Sequence, residues 1–295
     1  MSVSTPAAPA AAAPVRVPVL QEIRGPSALT SDCRRFLVLT RTIAVMEFKL
    51  RFFGSVLGYL WQLMRPLMLF GVLVVVFTQI IPVGDDLQHF ELALLLGIVL
   101  YTFFAEATGG AVTCVMDREN LVRKIHFPRL VIPMAVVLVA CFNLCLNLVV
   151  VVGFALAFGV TPTLSWLGLV PLMVGLAIFS SGLAMLLSAL YVRYRDIEPI
   201  WDVVLQVTFY GSLILVPYEA VRAKSESAAS VLVANPLGAV IQESRHLLID
   251  PSYVSAGTAI GGSARLLVPL ALLVFTFVLG LWVFNREAPR IAEEL

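Results

Sequence analysis

The chain has 295 residues, of which 13% are charged and 60% hydrophobic, with a formal net charge of +1 and a mean hydropathy of +0.95. Soluble domains carry about 25% charged residues, and a globule of this size cannot hide so much apolar surface from water. These values exclude an ordinary soluble enzyme and a disordered chain. The near-neutral charge excludes a nucleic-acid binder, which needs a clustered basic face. What remains is an all-α, polytopic membrane protein.

The chain opens on a segment, 1–31, expected to be a disordered cytoplasmic tail. Residues 1–26 hold five prolines among many alanines, too little apolar mass for a core. No basic stretch precedes an unbroken apolar core there, so a secretory signal is not read. Residues 32–63 are apolar but carry charges throughout. Leu39, Ile43, Met46 and Leu50 recur at helical spacing, while Arg34, Arg41 and Lys49 fall on another face. That pattern predicts an amphipathic helix lying in the cytoplasmic headgroup layer. Gly54 and Gly58 loosen it ahead of Pro66, where a bend into the membrane is expected.

Charge-free runs then place six spans, at about 66–83, 91–114, 130–158, 165–192, 199–217 and 265–285, within a transmembrane domain covering 64–286. Between Arg129 and Arg193 lie 63 uncharged residues. As one helix that run would be about 95 Å long, some three times the hydrocarbon thickness of about 30 Å. It must fold back, and Gly159-Val160-Thr161-Pro162-Thr163 supplies the turn. The run between Asp202 and Glu219 is the shortest of the six, at 16 residues. Alternate connecting segments gather 16 of the 20 Lys and Arg on one side of the membrane. The excess of basic residues marks the cytoplasmic side, so both termini, including the tail 287–295, are expected there.

Three features are neither span nor simple turn. The loop 117–129 mixes charges with Leu121, Val122, Ile125 and Phe127 before Pro128. A short helix with an apolar edge suits insertion into a groove on a soluble partner. Residues 218–262 are apolar around a central Asn235-Pro236-Leu237-Gly238 turn and too short on either side of it to span. Two half-helices re-entering the outer leaflet fit those lengths. Glu106 stands inside span two, where a carboxylate costs about 2.5–3.5 kcal/mol. It needs polar neighbours, and Asn143, Asn147 and Gln206 are the candidates.

The chain shows no catalytic constellation. Cys33, Cys114, Cys141 and Cys145 form no CxxC pair, and Cys141 and Cys145, one turn apart in an apolar run, read as small core residues. His89, His126 and His246 are read in three separate loops without metal-ligand spacing, so no metal is expected. No GxxxxGK[ST] phosphate loop occurs, and no duplicated half with broken helices suggests an ion-coupled carrier. A membrane enzyme acting on lipid-linked sugars would need convergent acids at one face. Asp196, Glu198 and Asp202 cluster after span four, at a spacing that a helix start also explains.

Several ordered stretches resemble one family. The run Phe48-Lys49-Leu50-Arg51-Phe52-Phe53-Gly54-Ser55-Val56-Leu57-Gly58-Tyr59-Leu60-Trp61, then Arg65-Pro66-Leu67, resembles the approach to the first span in ABC-2 type permeases that export polysaccharides. Phe52 stands where that family usually has tyrosine. Asn120-Leu121-Val122-Arg123-Lys124-Ile125-His126-Phe127-Pro128-Arg129, followed by Ile132-Pro133, is similar to the family's loop between spans two and three. Val192-Arg193-Tyr194-Arg195-Asp196 resembles its turn after span four. Asn235-Pro236-Leu237, with Arg245 downstream, is similar to its outer segment before span six. The matches are in order and cover about 36–286.

The resemblance implies the channel-forming (Wzm-like) subunit of an O-antigen, teichoic-acid or cell-wall-galactan exporter in the inner membrane. Such permeases are homodimers joined by two copies of a separate nucleotide-binding ABC subunit. This chain then binds no cofactor itself, and ATP and magnesium sit on the partner. Cargo is a lipid-linked polysaccharide, moved among membrane lipids. Asn120, Leu121, Arg123, Lys124, Ile125, Phe127 and Pro128 become the coupling helix seated in the ATPase. Arg51, Gly58, Tyr59, Trp61 and Arg65 form the interfacial helix and pore mouth. Phe70, Tyr101 and Glu106 are candidate pore-lining residues, since a sugar chain wants aromatic platforms and water. Arg193, Arg195 and Asp196 form the cytoplasmic turn, and Asn235, Pro236 and Arg245 belong to an outer gate. The same fold also serves ABC-2 permeases for a drug or small lipid, which the sequence separates poorly.

Overall fold

The computed structural model describes residues 33–52, 56–80, 88–119 and 127–287. Among them all regular structure is helical. Five helices are long and apolar enough to cross a membrane: Leu60–Ile80, Phe90–Val112, Val131–Ala157, Leu164–Arg193 and Ala264–Glu287.

Helix α1 spans Cys33–Phe52, and α2 spans Val56–Val75 and continues in a wider turn over Val76–Ile80. The span-length helix Leu60–Ile80 therefore starts within the segment 32–63 expected to be interfacial. Gly58 and Trp61 lie on the first membrane helix, and Pro66 sits inside that helix without ending it. Proline removes one backbone donor, which frees the Gln62 carbonyl. Membrane helices tolerate this where neighbouring groups compensate.

The packed face of α1 is also rotated from the expected stripe. Thr40 and Ala44 are buried, whereas Met46 and Leu50 are 59% and 69% exposed. Small residues explain the rotation. Ala44 lies against Ala135 and Val139 of α5, which spans Val131–Ala157, and Phe48 meets Phe142 edge-on at 5.5 Å.

Helix α3, Phe90–Val112, is the central post, with 16 of its 23 residues buried. The four-residue α4, Cys114–Asp117, breaks away from it at Thr113. Helix α6 spans Leu169–Arg193 after a tight turn at Leu164–Gly168. The last helix, α12, spans Leu267–Glu287 and grips α6 through glycine. A Cβ on Gly280 would lie 2.1 Å from the Gly182 carbonyl oxygen, and one on Gly182 would lie 2.7 Å from the Phe277 Cα. Lipid tails are as apolar as leucine, so such backbone contact supplies the van der Waals packing that holds membrane helices together.

The shortest expected span, 199–217, is the 15-residue helix α7, Ile197–Gly211. It is about 22 Å long and carries no buried residue. It starts at the arginine-rich end. The chain beyond it reaches the depth of Gly97, where Ile214 packs, and turns through Leu213 at φ 58°.

The segment expected outside then folds as α8 (Tyr218–Lys224), α9 (Glu226–Ala234), α10 (Pro236–Leu248) and α11 (Ala256–Ala259). Asn235 Oδ1 accepts from Leu237 N at 3.1 Å and Pro236 occupies the first turn, a strong helix start. Gly238 lets α9 and α10 cross, since a Cβ there would sit 2.3 Å from the Leu232 carbonyl oxygen. His246 lies on α10 rather than in a loop, because its helix continues to Leu248.

Candidate functional site

Three polar junctions interrupt the apolar packing. The first lies at the basic end. Arg118, just past α4, donates through Nη2 to Glu47 Oε1 at 2.5 Å and through Nη1 to the Cys114 carbonyl at 3.4 Å. Thr113 Oγ1 donates to Asp117 Oδ2 at 2.8 Å. Helix α1 is thus bolted to the exit of α3. Phe127, Pro128 and Arg129 are buried where the chain re-enters the bundle. Asn120, Leu121, Arg123, Lys124 and Ile125 lie outside the described residues.

Across the turn after α6, the Arg193 guanidinium lies 5.3 Å from the Tyr194 ring centroid. Arg195 lies 5.9 Å from that of Tyr191, whose hydroxyl donates to Glu198 at 3.1 Å. Arg193, Arg195 and Asp196 are all exposed, and Asp196 stands at the start of α7 without a side-chain cap. Glu198 is thus engaged with Tyr191.

The second junction is inside the membrane. Glu106 on α3 accepts hydrogen bonds from the Gln62 amide on α2 and from Asn143 Nδ2 on α5 at 2.9 Å. One carboxylate therefore ties three helices. Asn147 donates to the Asn143 carbonyl at 2.9 Å, and Gln206 is exposed elsewhere. Of the three expected neighbours only Asn143 touches the carboxylate. Gln62 falls in the segment 32–63 whose sequence pattern predicts an interfacial helix, so the sequence does not mark it as a partner of Glu106. Both partners donate, so Glu106→Ala strands two amides at about 1–3 kcal/mol each. Glu106→Gln keeps the junction, because a neighbouring amide can turn its oxygen inward. We expect thermal unfolding in detergent to separate the two variants, and the pH dependence of transport to match wild type in Glu106→Gln. Equal unfolding temperatures for the two would remove the clamp.

The aromatic candidates divide. Tyr101 is turned inward: its hydroxyl donates to the Leu205 carbonyl at 2.8 Å and its ring meets Phe209 at 4.9 Å. Phe70 packs edge-on against Phe154 at 6.0 Å. Trp61 is 56% exposed, and Arg51 and Arg65 are exposed beside it in sequence. The Tyr59 side chain lies outside the described residues.

The third junction is at the opposite end. Arg245, the largest fully buried side chain among the described residues, is 1% exposed. Its Nε donates to the Ala93 carbonyl at 3.3 Å and its Nη2 to the Ile214 carbonyl at 3.1 Å. Burial pushes this guanidinium down to about 10, partly offset by nearby Tyr253 and Glu219. Burial likewise pushes the Tyr253 phenol up to about 12, while its hydroxyl donates to the Gln88 carbonyl at 3.0 Å. The arginine adds stability as pH rises past its folded value, because the cost of burying its charge disappears; the tyrosine loses stability over the same high range. Neither titrates near neutrality.

A family model described as ABC-2 type transporter matches residues 38–248. The O-antigen export system permease protein RfbA of Klebsiella pneumoniae is 27% identical over 254 residues, covering 84% of this chain and 92% of that protein. The protein of the same name from Myxococcus xanthus is 29% identical over 212 residues, covering 71% of this chain and 79% of its own length.

Proposed function

The chain belongs to the ABC-2 type transporter family, and from that premise we propose that it is the permease subunit of an ATP-driven exporter of a lipid-linked polysaccharide. The observation that carries the reading is the near-end-to-end likeness to O-antigen export permeases, which leaves less than a tenth of the Klebsiella relative unmatched. In this reading the protein sits in the inner membrane with both termini cytoplasmic. It pairs with a second copy of itself and with two nucleotide-binding subunits, which hold the ATP and magnesium.

Helix α7 supports the pairing. Ile200, Val203 and Val207 are exposed at 56–65%, and Asp202 and Gln206 are exposed beside them. A carboxylate and an amide on such an exposed apolar helix belong against protein or a water-filled path rather than lipid. The seam between two copies supplies both. Trp61, exposed on α2, offers a platform for the apolar face of a sugar.

The junctions describe how force travels. ATP closes the two partner subunits on each other and displaces the loop 117–129. Arg118 and Glu47 carry that displacement into α1, and α3 receives it directly. Glu106 passes it to α2 through Gln62 and to α5 through Asn143, so α1, α2, α3 and α5 move as one body. Glu47→Arg is expected to lower export several-fold without loss of the ATPase partner, and Glu47→Arg with Arg118→Glu is expected to restore it. Export of surface glycan checks this, and failure of the swapped pair to restore would mean the contact transmits nothing.

Deletion of the chain tests the function itself. Lipid-linked glycan is expected to accumulate inside the cell and vanish from the surface. ATP hydrolysis is expected of the assembled complex and not of the purified chain. Normal surface glycan in the deletion strain would overturn the reading.

A further inference from the structure

Away from these junctions, three loops meet at the outer end around a cavity of about 330 Å³, within the lower range of small-molecule sites. His89 comes from the turn before α3, Thr161, Thr163 and Ser165 from the turn between α5 and α6, and Asp250 from the end of α10. Val160 and Pro251 add an apolar patch.

The cavity is built rather than incidental, because each pair of loops is tied. Tyr253, 1% exposed, donates to the Gln88 carbonyl at 3.0 Å and holds the first loop to the third. Ser165 Oγ donates to the Leu247 carbonyl at 3.0 Å and holds the second to the third. The His89 ring lies 6.2 Å from that of Phe158, which joins the first to the second. His89 itself is held at φ 56°, ψ 44°, a left-handed conformation uncommon outside glycine. Backbone strain of this sort persists only where surroundings over-determine it, and it gathers at ligand sites.

The lining selects the ligand class. Among the described residues no three His, Cys, Asp or Glu side chains converge to hold a metal ion. Asp250 Oδ1 accepts from Ser252 N at 2.6 Å, and the hydrogen bonds from Ser252 hold its carboxyl below the usual range. A charged carboxylate disfavours a phosphate in the same cavity. The Thr161 hydroxyl, the Thr163–Ser165 hydroxyl pair, hydrogen-bonded to each other at 2.6 Å, an imidazole and a carboxylate beside an apolar patch match a neutral polyol with polar edges and an apolar face. We propose that this three-loop cavity binds a sugar unit of the exported glycan as it leaves the outer end of the permease. The proposal rests on the glycan-export reading and adds to it an outer saccharide subsite on each chain.

The test uses the intact exporter in cells making their own glycan. Thr161 is exposed and accepts a photo-crosslinking residue, Thr161→benzoylphenylalanine. Irradiation is expected to give glycan-bearing adducts of the chain at 161 and none from the same residue at Val274, exposed on apolar α12. Asp250→Asn keeps an oxygen for Ser252 and is expected to lower the adduct yield at least fivefold at equal membrane abundance. Absence of glycan adducts at 161 while glycan still reaches the surface overturns the subsite and leaves export standing. Adducts that persist in cells unable to make the glycan identify a lipid headgroup, and adducts to a second copy of the chain identify a subunit contact; either overturns the proposal. If surface glycan does not depend on the chain at all, the export reading fails first.

Discussion

Reversing Arg123 and Lys124 to glutamate is expected to abolish export and to release the nucleotide-binding partner from the purified complex. The segment 117–129 alternates basic residues with Leu121, Val122, Ile125 and Phe127, the composition of a helix that seats its apolar edge in a groove and fixes its register by charge. Placing like charges across such an interface costs several kcal/mol, and each 1.4 kcal/mol is tenfold in affinity. Two reversals are enough to dissolve a micromolar contact. Both flanks of the segment are anchored by other residues. On one side Arg118 is committed to Glu47, and on the other Phe127, Pro128 and Arg129 are buried in the bundle. Co-purification of the partner with the doubly reversed chain, set beside its thermal unfolding, separates docking from folding. Undiminished co-purification would remove the coupling role from this loop.

Five of the six expected spans were legible because hydrocarbon excludes charge over a fixed distance, so runs such as those between Arg65 and Asp85, Arg129 and Arg193, and Arg265 and Arg286 mark them. The start of the first was not. Proline is an accepted stop signal, yet Pro66 sits inside α2 without ending it, as membrane helices tolerate. That shift of boundary hid Gln62 from its carboxylate. Asn143 was findable, since a polar side chain in a long apolar helix needs an explanation. Arg245 could be picked out as an unusual charge in an apolar segment, but its surroundings could not. Its acceptors are the backbone carbonyls of Ala93 and Ile214, and every residue has one, so no letter in the sequence marks them. The outer cavity was hidden for a related reason. His89, Thr163 and Asp250 are ordinary loop residues until the chain brings three distant turns together.

Replacement of Arg245 by methionine is expected to unlock the segment 218–262, at a cost of about 1–3 kcal/mol. The figure follows from the Ile214 carbonyl, which lies outside regular helix and loses its donor in a buried place; the Ala93 carbonyl keeps its partner in the ladder of α3. Methionine fills much of the volume, so the loss reports the polar contacts rather than a cavity. A second consequence concerns Glu219, whose two carboxylate oxygens are buried without a hydrogen-bond partner among the described residues. The field of Glu219 favours the Arg245 charge against the cost of burial, and removing the guanidinium takes that favourable interaction away. Glu219→Gln on the Arg245→Met background should therefore recover part of the stability, with an interaction term of about 0.5–3 kcal/mol in the double-mutant cycle. Hydrogen exchange over 218–262, measured for the four chains of the cycle, reads the effect locally. Strictly additive losses would mean that arginine and glutamate act apart, and that the outer segment is held by the two carbonyl contacts alone.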